Sequence, residues 1–283
     1  MGVSPASSAS SASPASSASP GSIKASTSSS KEKVSMRLVV LGLVGVSILV
    51  AVGCTVWDQQ EKLLIGDGYK GILIPAGSFD MGCTPEQGSD CSDREKPVHK
   101  VTISREFYMM ESEVTQGLYE SVMGSNPSHF SSCGSDCPVE GVSWFDAVEF
   151  ANALSKKEGL EQCYQINGES VSWSDKDCKG WRLPTEGEWE YAARGNESFM
   201  YAGLNNADTV SWTDQNSGTK THKVCGKKRN GYELCDMSGN VLEWVWDWYG
   251  EYSSVSESDP TGVSTGSDRV LRGGCWYSNA RDT

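Results

Sequence analysis

Asp236 and Glu243 flank a tight Ser238-Gly239-Asn240 turn, and of all the side chains in the sequence they are the best placed for chemistry. Ca²⁺ takes a mixed shell of carboxylate and carbonyl oxygens, and a turn brings carbonyls beside the two acids. The competing reading is an ion-free turn stapled into the core by Trp244, Trp246 and Trp248, because aromatic rings bury large apolar areas. The sequence contains no P-loop or HExxH pattern, and residue spacing alone leads to no reaction.

Cysteine is the other reactive residue type. Of ten cysteines, eight fall into sequence-local clusters: Cys83 with Cys91, Cys133 with Cys137, Cys163 with Cys178, and Cys225 with Cys235. With no CxxC spacing and only three histidines, these are not zinc ligands. They suit disulfides made in an oxidising compartment, with the connectivity open. Cys275 is left over, and Cys54 belongs to the leader.

The leader supports export. Residues 1–35 are dominated by Ser, Ala and Pro and cannot offset the entropy of ordering; they read as a disordered leader or as sequence before a true start at Met36. Arg37, the apolar run 38–52 and Gly53-Cys54 then follow the order of a secretory signal. The Gly-Cys junction is similar to a bacterial lipoprotein signal, in which Cys54 becomes the lipidated N-terminus. The alternative is a single N-terminal membrane helix reaching Val56. Both place the remaining chain outside the cytoplasm, anchored to the membrane, since the positive flank stays inside.

Formal charge is −13; Lys24, Lys31, Lys33 and Arg37 against Glu32 give the leader +3, leaving −16 for the rest. Such a surface offers no basic footprint for nucleic acid. After a linker at 55–70, the segment Gly71–Gly82 reads as two short strands around Pro75-Ala76-Gly77. Residues 99–108 alternate as one half-buried strand with Val101, Ile103 and Phe107 inward, and His99 is read as a strand residue rather than a ligand. Thr115, the Ser143-x-x-Asp146 box and the Thr185-x-x-Glu188 box announce three helices, stopped at Gly124, Gly159 and Gly195. A hairpin over 164–173 turns at Asn167-Gly168. Short helices among short strands and long loops give an α+β domain over 71–283.

Several of these stretches together resemble the formylglycine-generating enzyme family, the sulfatase-modifying factor domains. They are IPAGSFDMG (74–82), EVTQGLY (113–119), NPSHF (126–130), PVEGVSWFDAVEFANALS (138–155), RLPTEGEWEYAARG (182–195), LCDMSGNVLEW (234–244) and RVLRGGCW (269–276), in the family's order. The resemblance implies a C-type-lectin-like α+β fold rich in irregular structure. It also implies that the family's structural Ca²⁺ falls on Asp236, the Gly239 and Val241 carbonyls, and Glu243, with Asp236 where Asn is common.

For activity, the resemblance points both ways. Formylglycine-generating oxidases bind copper through two cysteines and use O₂ to convert a sulfatase cysteine to formylglycine. Those positions, three and eight residues past the last position of RGGC, are Ser278 and Thr283 here. Neither is the soft thiolate that Cu(I) selects, so copper is not expected. Sulfoxide synthases of the same family take their iron histidines from a separate helical domain that has no counterpart in this sequence. The family's Arg-rich strand and Gly-Phe-Arg ending also lie beyond Thr283, so the resemblance implies either a C-terminally truncated fragment or a fold that closes imperfectly. The expectation is an exported recognition module for protein, peptide or glycan; the alternative is an oxidase that modifies a sulfatase cysteine or another exported protein.

Overall fold

The protein is described from a computed structural model, over residues 4–5, 63–174 and 176–283. The leader, with Cys54 and the apolar run 38–52, lies outside the described residues. Among the described residues, no helix is long and apolar enough to cross a membrane.

Three small antiparallel or mixed assemblies form the β framework. Strands β1 (Leu63–Gly66), β2 (Tyr69–Ile74) and β5 (Phe107–Met110) make one sheet in the order β1-β2-β5. Strands β3 (Gly77–Met81) and β4 (His99–Ile103) pair antiparallel, and β10 (Glu257–Ser258) adds parallel to β4. Strand β8 (Trp181–Arg182) is a short buried segment, and strand β9 (Glu243–Trp248) pairs antiparallel with β11 (Arg269–Arg272), with an irregularity between Trp244 and Trp248. Strand β1 falls within the stretch read as linker.

The expected strand over 99–108 is two strands. Ser104 turns the chain out of β4, its amide and hydroxyl both donating to the Asp259 carboxylate at 2.8 and 2.5 Å. Val101, Ile103 and Phe107 are buried as the alternation requires. His99 is buried, with Nδ1 3.1 Å from the Pro97 carbonyl.

The helices begin where their caps place them. Thr115 accepts from Leu118 N–H and opens α1 (Gln116–Met123), which ends at left-handed Gly124. Ser143 and Asp146 form a reciprocal capping box at the head of α2 (Trp144–Lys157). Thr185 and Glu188 do the same for α3 (Glu186–Arg194), which stops at left-handed Gly195. Helices α1 and α2 bury Leu118, Tyr119, Val148, Ala151 and Leu154 against Trp181 and Leu183. A second cluster packs Trp189 and Ala192 of α3 against Ile74, Val101, Phe107 and Val245. The hairpin of β6 (Tyr164–Asn167) and β7 (Ser170–Trp173) turns one residue later than expected, through Gly168-Glu169, with Gly168 at φ +61°.

All four sequence-local cysteine clusters are disulfides: Cys83–Cys91, Cys133–Cys137, Cys163–Cys178 and Cys225–Cys235, with Cα separations of 5.0 to 5.9 Å. Four such bonds belong to an oxidising, extracytoplasmic compartment. Cys275 is the free cysteine among the described residues, and it is buried.

Candidate functional site

Strand β9 reverses the expected role of its tryptophans. Glu243, Val245 and Asp247 face inward, whereas Trp244, Trp246 and Trp248 are only half-buried. Polar partners fix this choice of face: Asp247 Oδ2 accepts from the Glu186 amide at the start of α3, at 2.9 Å. The outer indoles still anchor the strand. Trp244 Nε1 donates to the Val142 carbonyl at 3.1 Å, and Trp144 Nε1 to that of Val245 at 2.9 Å. The Arg269 guanidinium lies 3.7 Å over the Trp144 ring and 3.6 Å over that of Trp248.

The turn before β9 gathers acids that the sequence disperses. Asp236, Glu243 and Glu113 are each only 2 % exposed. Asp236 Oδ2 accepts from the Cys225 amide at 2.5 Å, but buried Oδ1 has no hydrogen-bond partner. Burial, reinforced by the Glu243 charge, pushes the Asp236 carboxyl up to about 6 against the pull of the Cys225 amide, Arg229 and Lys227. Burial first, then the Asp236 and Glu243 charges, hold Glu113 well above the ordinary carboxylate range. Nothing in the local sequence marks Glu113 as part of this site, because it is brought in from the approach to α1.

Asn240 ties the turn together. Its side-chain amide donates to Glu113 Oε2 at 3.0 Å and to the His222 carbonyl at 3.2 Å, and its oxygen accepts from the His222 amide at 2.9 Å. The Val241 amide donates to Glu113 Oε1 at 3.2 Å. Gly239 donates to the Gly273 carbonyl at 2.7 Å, and Asn240 accepts at its own carbonyl from Trp276 N–H at 2.9 Å. The acidic turn therefore positions the segment that carries Cys275. Asp236, Glu243 and Glu113 lie near enough to feel one another's charge, and the unpartnered Asp236 Oδ1 is an oxygen that a hard divalent cation would satisfy.

The expected copper positions do not fit copper. Ser278 Oγ accepts from the Cys275 amide at 3.1 Å and sits 3.2 Å from Cys275 Sγ, while Thr283 Oγ1 donates to the Ala280 carbonyl at 2.7 Å. The structure thus brings one thiol and one hydroxyl together where two thiolates would be required. Cys275 lies in the wall of a cavity of about 420 Å³, with Phe130, Trp244, Trp276 and Tyr277 among its lining. The neighbouring Cys275 sulfur holds the Tyr277 hydroxyl above its ordinary range.

Comparison with known proteins accords with this geometry. The sulfatase-modifying factor enzyme 1-like domain family matches residues 61–283. The chain is 36 % identical over 242 residues to the chaperone protein LppX of Paenibacillus barcinonensis, covering 74 % of this chain and 79 % of that protein. It is 30 % identical over 249 residues to the formylglycine-generating enzyme of Streptomyces coelicolor, covering 72 % and 78 %. Among solved structures, Treponema denticola variable protein 1 aligns with a TM-score of 0.70 and 34 % identity, covering 78 % of this chain and 89 % of that one.

Proposed function

The chain belongs to the sulfatase-modifying factor family, and within it we propose a recognition module, exported and lipid-anchored through Cys54, that binds protein, peptide or glycan. One observation carries this reading: Ser278 and Thr283 stand where the copper oxidases need thiolates, and both hydroxyls are engaged within their own segment. The aromatic cavity that Cys275 lines has the concave, mostly apolar character of a ligand pocket. Ca²⁺, held by Asp236, Glu243 and the Gly239 and Val241 carbonyls, would neutralise the crowded acids and pin the turn behind that cavity.

Two measurements test the reading. The full chain is incubated with copper, O₂ and a cysteine-containing sulfatase peptide, and formylglycine is sought by mass spectrometry. No turnover above the protein-free control is expected; clear turnover restores the oxidase reading. Intact mass of membrane-extracted protein should show a lipid on Cys54 and loss of residues 1–53. A retained start with an unmodified Cys54 removes the anchor from the proposal.

A further inference from the structure

The cavity beside Cys275 is unusual in its charge. His129, Phe130, Trp244, Trp276 and Tyr277 supply rings to a lining that also holds aliphatic side chains, Cys275 and Glu140, and neither Lys nor Arg lines it. The one carboxylate in the wall is Glu140. The Phe130 amide donates to Glu140 Oε1 at 2.7 Å, so the carboxylate is held in place at the cavity wall. Phe130 and Trp276 meet edge to face, with ring centroids 5.3 Å apart, and Trp276 meets Tyr277 in the same way at 4.8 Å. Mutually perpendicular rings thus line one half-open cavity. Tyr277 is 61 % exposed and stands at the mouth.

Aromatic faces carry negative charge density, and an organic cation within reach of several of them is stabilised more strongly as water is excluded. A fixed carboxylate in the same wall adds a direct ionic partner. The −16 charge outside the leader raises the local concentration of cationic partners before contact. An uncharged apolar guest would use the rings but would gain nothing from Glu140.

We propose that this cavity captures the ammonium group of a lysine side chain presented by a partner polypeptide, caged by Phe130, Trp244, Trp276 and Tyr277 and paired with Glu140. The assignment rests on the recognition reading above and gives it a ligand class. The alkyl stem of lysine covers apolar surface while its charged end reaches the carboxylate. Tyr277 closes over it from the rim.

Calorimetric titration of the full chain with acetylated, amidated Gly-Gly-Lys-Gly-Gly tests the assignment against two isosteres, one with norleucine and one with Nε-acetyllysine. The lysine peptide should bind at least about tenfold more tightly than either. Glu140→Gln keeps an oxygen for the Phe130 amide and should cost the lysine peptide about tenfold while leaving the norleucine peptide unchanged. Tyr277→Ala, at an exposed position, should weaken the lysine peptide with near-ultraviolet circular dichroism unaltered. Equal affinities for the three peptides, an unaffected Glu140→Gln variant, or binding of choline without the lysine peptide overturns the proposal. Formylglycine formation in the copper assay would instead sink the recognition reading, and these copper-free titrations would still report lysine preference separately.

Discussion

At the scale of single residues, the acidic turn is held by backbone conformations that few side chains tolerate. Gly239 has φ +82°, and a Cβ there would lie 2.4 Å from the Trp212 carbonyl oxygen. Gly239→Ala should therefore cost at least about 1–2 kcal/mol, read as a lower denaturation midpoint at unchanged slope. Asp236 and Asn240 accept the same left-handed region, at φ 55° and 60°, because short polar side chains can bond locally. Asp247 gives a pH prediction. Burial pushes its carboxyl up to about 8, with Glu186 and Glu188 adding and the Glu186 amide opposing. The folded state thus holds this proton more tightly than the unfolded chain, whose carboxyl titrates near about 4. The stability contribution is complete below about pH 4 and is lost as pH rises through 8. Asp247→Asn keeps an oxygen for the Glu186 amide without the charge. It should be more stable than wild type at pH 9, by at least about 1 kcal/mol, and nearly equal at about pH 3, where the carboxyl is protonated in both states. Thermal melts at the two values check this, and a pH-independent difference contradicts it.

At the scale of elements, the hairpin of β6 and β7 depends on a covalent clamp. Cys163 and Cys178 bracket it across 15 residues and are both buried. The Asn152 side chain meanwhile bonds both the amide and the carbonyl of Tyr164. Replacing both cysteines by alanine should cost about 3 kcal/mol in chemical denaturation; a loss near zero would mean that Asn152 suffices. These elements also show what the sequence could reveal. Helix starts were legible because a cap is a local event: Thr185 and Glu188 carry their own hydrogen-bonding instructions. The corner at Ser104 was not, since its partner Asp259 lies 155 residues away. In β9 the alternation was visible, but alternation does not say which face is inside. Aromatic size argued for the tryptophans, and the buried bonds to Asp247 decided for the acids. Asp236 and Glu243 were readable around their turn, whereas Glu113 joins them only through Asn240 and Val241.

At the scale of the whole molecule, the turn links segments distant in the chain. Residues Glu113, Trp212, His222, Cys225 and Gly273 all bond to the stretch from Asp236 to Val241. An ion that neutralises Asp236, Glu243 and their neighbour Glu113 would therefore stabilise the entire fold rather than one loop. Like charges crowded in a buried site repel unless a proton or cation intervenes. The −16 charge outside the leader favours cation capture at long range. Binding confined to the folded state contributes RT ln(1 + [L]/Kd), about 2.7 kcal/mol when calcium is a hundredfold above Kd. For a domain of this size that is a rise of roughly 5–10 °C in Tm. Melting followed by tryptophan fluorescence should show this difference between calcium and chelator at pH 7.5. The gap should shrink as pH falls below about 6, where a proton competes with the ion for the Asp236 carboxylate. The Asp236→Ala, Glu243→Ala double variant should melt at one temperature in both conditions. If the wild type also shows a calcium-independent midpoint, the three acids are held by protons and hydrogen bonds alone, and the turn carries no metal.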